Sequence, residues 1–100
     1  MAIHSVAATT IAASGNDEFK PADYPGLVGI EQCTYHTISV TGSGTAKIEF
    51  QHLDQSAYIT VATGVSSDFD TYVAKGVTSI KVTETGGANS IDVAISSYQE

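Results

Sequence analysis

The strongest constraint on the fold is the alternation of apolar and polar side chains through residues 37–53. Ile38 and Val40 alternate with Thr37, Ser39 and Thr41, and further on Ala46, Ile48 and Phe50 alternate with Lys47, Glu49 and Gln51. A period of two sends successive side chains to opposite sides of an extended chain, so each run reads as a strand with one buried face. Gly42-Ser43-Gly44 lies between them, where two glycines can take the positive φ values of a tight loop. The spacing predicts a β-hairpin centred on Ser43, with Val40 facing Ala46 and Ile38 facing Ile48. Its apolar face has to be covered by the rest of the chain.

The other segments carry the same signature. Residues 3–13, small and β-branched, read as an edge strand in preference to a weak helix because of Val6, Thr9, Thr10 and Ile11. From Ser14 to Cys33 the turn residues and Pro21, Pro25, Gly26 and Gly29 predict a long loop. That loop is unusually apolar, with Phe19, Tyr24, Leu27, Val28 and Ile30, so it either closes one end of the fold or meets another subunit. A third strand is expected over Ala57–Ala62, a loop from Gly64 to Asp70, and a short strand near Thr71–Ala74. Thr78–Thr85 turns Ile80 and Val82 inward, and Ser90–Tyr98 turns Ile91, Val93 and Ile95 inward. The intervening Gly86-Gly87-Ala88-Asn89 predicts a second hairpin. Six to seven short strands with no amphipathic helix define an all-β protein, an antiparallel β-sandwich or jelly-roll-like barrel.

Composition limits what such a domain can do. One hundred residues make a single domain, 1–100, with a thin core that a subunit interface would supplement. Eleven acidic residues against four lysines and no arginine leave a net charge of −7. That balance lacks the basic footprint of a nucleic-acid binder and disfavours anionic membranes. No run approaches the roughly 18 apolar residues that span a bilayer. No lysine or arginine precedes the apolar N-terminal run, so no signal peptide is expected, and the chain is expected to remain in the cytoplasm or join an assembly there. Cys33, the lone cysteine, cannot form a disulfide within the chain and reads as a small buried residue.

Each chemically suggestive group has a plainer structural reading. On the predicted hairpin His36 and His52 are diagonal neighbours, but a zinc site needs further ligands, from His4 or a carboxylate, and rim hydrogen bonding explains the pair without metal. Asp68 and Asp70 flank Phe69 among serines; calcium needs six to eight oxygens, whereas turn-forming aspartates with Phe69 turned to the core need nothing else. No nucleophile elbow surrounds any serine, and Gly42-Ser43-Gly44 precedes no helix that would cradle phosphate. No enzyme, cofactor or metal is expected. Tyr35, Tyr58 and Tyr72 leave open a carbohydrate-binding β-sandwich, although tryptophan is absent.

Thr37–Gly44, Gly76–Thr83 and Ser90–Ile95, with the Ala- and Thr-rich beginning, resemble the small all-β virion proteins of tailed bacteriophages, in particular capsid cement or decoration proteins. The resemblance implies a non-enzymatic protein, commonly a homotrimer, that sits among major capsid protein subunits and stabilises the head shell of the virion after synthesis in the host cytoplasm. A tail or baseplate component is the neighbouring alternative. The contact regions expected on this reading are segment 1–13 and loop 14–33, through Ile3, Val6, Ile11, Phe19, Tyr24, Pro25, Leu27 and Val28.

Overall fold

The computed structural model describes residues 4–53, 55–71 and 74–99. Their eight strands are β1 (His4–Ile11), β2 (Asn16–Phe19), β3 (Tyr35–Gly42), β4 (Ala46–His52), β5 (Ile59–Val65), β6 (Phe69–Thr71), β7 (Val77–Glu84) and β8 (Ile91–Tyr98). They form two four-stranded sheets, β1-β8-β3-β6 and β2-β7-β4-β5, in which every pairing is antiparallel. Strand pairs β1–β8, β2–β7, β3–β6 and β4–β5 describe one long ribbon folded back on itself at the β4–β5 connection and then rolled. That is a jelly roll, within the all-β sandwich class that the alternation predicts.

The topology overturns both expected hairpins. β3 lies in the first sheet and β4 in the second, so Gly42-Ser43-Gly44 carries the chain across the sandwich. The β7–β8 connection does the same. The physical reason is that alternation fixes which face of a strand is buried, but not whether its apolar neighbour lies beside it or across the core. Ile38, Val40, Ala46 and Ile48 do share one core. They meet there from two sheets, stacked at the roughly 10 Å typical of a sandwich.

The expected long loop is also more structured than its turn residues imply. It contains β2, which pairs with β7, and two 3-10 turns at Pro25–Leu27 and Ile30–Gln32. Phe19, Leu27 and Ile30 are wholly buried and Tyr24 packs against the core. The segment therefore closes the sandwich with its own side chains, at a hydrophobic gain of about 1.5–3 kcal/mol for each large residue. The strand over 57–62 runs instead from Ile59 to Val65, into the stretch expected as loop.

Candidate interaction surface

The buried polar groups come first, because they show which parts of the molecule are committed to structure. Ile80, Val82 and Glu84 share the inward parity of β7, which leaves a carboxylate 1 % exposed at one end of the sandwich. Its Oε1 accepts from the Ser14 N–H at 3.0 Å and the Gly87 N–H at 2.7 Å, and its Oε2 from the N–H groups of Thr45 (3.1 Å) and Gly86 (2.7 Å). These donors belong to three loops, β1–β2, β3–β4 and β7–β8, each of which crosses between sheets. The Ser14 and Gly87 amides, helped by those of Thr45 and Gly86, outweigh desolvation and hold the carboxyl down at about 2. Gly44 completes the end: a Cβ there would lie 2.8 Å from both Glu84 Oε2 and the Ile91 methyl.

His36 occupies the opposite end, also buried. Its Nδ1 lies 2.7 Å from Ser97 Oγ and its Nε2 3.3 Å from the Ala74 carbonyl, with the Phe50 ring edge-on at 5.6 Å. Burial pushes its pKa below the ordinary 6.5, so the neutral ring is the folded form. Stability from that ring is complete above pH 6.5 and erodes as the pH falls below it. The expected pairing with His52 does not form, because β3 and β4 lie in different sheets; His52 Nδ1 lies 3.1 Å from the Lys75 carbonyl instead. Among the described residues no three histidine, cysteine or acidic side chains converge on a metal position.

The outer faces are flat and mostly polar. Across β1, β8 and β3 small residues stand in rows, such as Ala8, Ala94 and Ser39, over a shallow depression of about 330 Å³. Hydroxyl groups occupy the carboxylates of that sheet: Thr10 donates to Asp92 (2.6 Å), Thr37 to Asp70 (2.7 Å) and Ser39 to Asp68 (2.8 Å). Asp68 and Asp70 thus tie β6 to β3, with Phe69 against the core. On the other sheet the Tyr58 hydroxyl donates to Glu18 Oε1 at 2.7 Å and lies 2.6 Å from Ser79 Oγ, while Lys81 Nζ sits 5.6 Å from its ring centroid. Burial and Glu18 push the phenol up to about 12. Tyr35 is on the first sheet and Tyr58 beside the second, and Tyr72 lies outside the described residues.

The expected contact residues divide by burial. Ile11, Phe19 and Leu27 are buried within this chain, turned inward by the parity of β1 and β2 and by the inward fold of the 3-10 turn. Tyr24 is partly buried, its hydroxyl bonded to the Asp17 carboxylate. Val6, Pro25 and Val28 are exposed, and Ile3 lies outside the described residues. Cys33 is buried, its thiol raised by burial above the usual range. Sequence reasoning missed three further exposed apolar residues, Leu53 ahead of β5 and Ile59 and Val61 on it. The signal was available: Ile59 to Val65 is a run without any charge in an acidic chain.

No protein-family model matches this sequence, and no curated protein does. Two solved structures share the fold. One is a chain of the Bacillus endospore appendages, which form a family of disulfide-linked pili: 18 % identity, 98 % of this chain and 87 % of that one, TM-score 0.53. The other is the SPBc2 prophage-derived protein YomS: 14 % identity, 97 % of this chain and 96 % of that one, TM-score 0.53. At these identities the likeness establishes the jelly-roll architecture, a fold that hosts many unrelated functions.

Proposed function

We propose that this chain is a non-enzymatic building block of a larger protein assembly, of the virion cement or decoration type, which stabilises a phage head shell through contacts with itself and with the major capsid protein. The observation that carries this reading is where the structure spends its polar groups. Among the described residues the one buried carboxylate is fully engaged by loop amides and the one buried histidine by a serine and a carbonyl, so both brace the sandwich. Of the exposed large apolar side chains, by contrast, Val6, Val28, Leu53, Ile59 and Val61 sit on edge strands and connections, and Tyr98 at the end of the inner strand β8. Such positions suit contact with another chain better than a cleft for chemistry. Two fold neighbours bearing the names of a pilus and a prophage-derived protein support the same direction. The disulfide linkage of the pilus is a property of that protein; Cys33 here is buried.

The test is sedimentation of the purified protein, alone from micromolar to millimolar concentration and mixed with phage head shells. The expected result is an oligomer of defined mass that co-sediments with shells and slows their thermal rupture. A protein that stays monomeric, ignores shells and binds a glycan would contradict it.

A further inference from the structure

An antiparallel sheet can turn one face to the core and leave the other bare, so the outer faces of the two sheets are what another molecule meets first. They differ in charge. On the second sheet the outward residues carry both signs and settle them locally: Lys47 lies 3.6 Å from Glu49, Lys81 stands over the Tyr58 ring, and Tyr58 donates to Glu18. On the first sheet the register sets four outward rows side by side, Thr10–Asp92–Thr41, Ala8–Ala94–Ser39, Val6–Ser96–Thr37 and His4–Tyr98–Tyr35. Asp70 on β6 extends the third row, and Asp68 joins the second through Ser39. None of the four lysines lies on β1, β3, β6 or β8, so no strand of this sheet sets a lysine beside its aspartates.

The three exposed aspartates are fixed in direction but not saturated. Oδ1 of Asp92, Asp70 and Asp68 accepts from Thr10, Thr37 and Ser39, while Oδ2 takes no hydrogen bond among the described residues. A carboxylate is acceptor-only, so that second oxygen is left for a donor from outside. The groups are also spread out. Asp92 stands on β8 and Asp70 two strands away on β6, a lateral step of about 10 Å at the usual strand spacing. One metal ion cannot gather carboxylates so far apart, whereas cations carried on a surface can meet them singly. Beside Asp92 the floor dips into the shallow depression of about 330 Å³, where Ala8, Ala94 and Ser39 are small enough for a long aliphatic stem to lie flat. At the far end of the same face Val6 and Tyr98 are exposed.

From this we infer that the outer face of β1-β8-β3-β6 is a docking surface for a basic protein surface, one that sets two or more lysine or arginine side chains against Asp92, Asp68 and Asp70 and an apolar group against Val6 and Tyr98. Charge selects that occupant. A second copy presenting the same face would set aspartate against aspartate, and a copy presenting its other sheet offers lysines already engaged by Glu49 and the Tyr58 ring. Nucleic acid and anionic membranes are repelled by the same carboxylates.

This face serves the assembly proposed above and rests on that reading, but the two fail separately. The isotope-labelled chain is titrated with hexalysine and followed by NMR, and is sedimented with phage head shells at low and at high salt, as wild type and as Asp68→Asn/Asp92→Asn. Asparagine keeps an acceptor for Ser39 and Thr10 and removes only the charge. Expected are peptide-induced amide shifts confined to β1, β3, β8 and segment 68–70, and shell binding that weakens at high salt. Peptide and shell binding by the double variant should be weaker by about fivefold or more, at unchanged melting temperature. If that variant unfolds, Thr41→Lys, which sets a cation beside Asp92 in the same row, replaces it, and the wild-type shift map needs no variant. Shifts on β4 and β7 instead, shifts spread over every carboxylate, or shells bound equally by the double variant overturn the docking face; the building-block reading stands wherever shells are still bound. Concentration-dependent shifts on both outer faces without peptide make a second copy the occupant and overturn it too. A wild type that takes hexalysine on this face yet ignores shells keeps the face and overturns the building-block reading.

Discussion

Two connections between consecutive strands make an instructive pair. After β3 the chain passes Gly42-Ser43-Gly44 and lands in the opposite sheet; after β4 it passes residues 53–58 and returns beside β4 as β5. The first connection is drawn across by an anchor: the Thr45 amide reaches Glu84, which also gathers amides from the two other crossing loops at that end. The second connection is pinned within its own sheet. Tyr58 lies on the outer face against Glu18, Ser79 and Lys81, and the strand that follows becomes an edge. The difference shows that a glycine-rich turn does not by itself make a hairpin. What decides is where the flanking polar groups find partners.

Four substitutions test that contrast. Glu84→Gln keeps the size of the side chain but replaces an acceptor-only carboxylate with an amide that also brings its own donors among four N–H groups. It is expected to cost the most stability of the four. It also removes a specific acid response: the folded carboxyl titrates at about 2 against 4.5 when unfolded. The wild type therefore has the full contribution above about pH 4.5 and loses it as the pH falls towards 2. Melting temperatures between pH 5 and pH 2 should fall in the wild type and stay flatter in Glu84→Gln, whereas erosion just below pH 6.5 belongs to His36 and persists in both. An identical slope in both proteins would mean that Glu84 does not anchor the crossings.

Gly44→Ala comes next. Its new methyl meets Glu84 Oε2 and Ile91 at 2.8 Å and the Asn89 carbonyl at 3.0 Å. A loss of about 1–3 kcal/mol in chemical denaturation is expected from that overpacking. Tyr58→Phe, which loosens the pinned hairpin, removes one hydroxyl and is expected to cost about 0.5–1.5 kcal/mol. It should also abolish an alkaline limb. Because the folded phenol titrates at about 12 against 10.0 unfolded, its contribution is complete below pH 10 and is lost as the pH rises through 12. Smallest of all is Thr10→Val, on the exposed outer face. It deletes one hydrogen bond to Asp92 and is expected to change stability by less than about 1 kcal/mol.

Much of this architecture is legible in the chain. The inward positions of β3, β4, β7 and β8 follow from alternation alone, as does the all-β class. Pairing is not legible in the same way, since a period of two looks the same in a hairpin and in a crossing between sheets. The jelly roll joins strands far apart in sequence, β1 with β8 and β2 with β7. Glu84 was marked only by its parity with Ile80 and Val82, a polar residue at a core position whose partners come from three distant loops. The burial of Phe19 and Leu27 was masked by the proline and glycine residues around them, which mark turns but do not say which way a turn folds. The β5 edge was masked for the opposite reason: Ile59 and Val61 look like core until the strand is seen to have a neighbour on one side only.

Everything above depends on the two glycine-rich connections crossing the sandwich, and backbone proton contacts measured by NMR test this most directly. Close contacts between β3 and β8 along the register Ser39–Ala94 and Val40–Val93 are predicted, with none between the backbones of β3 and β4. Backbone contacts from Val40 to Ala46 and from Ile38 to Ile48 would instead establish the hairpin and contradict the account.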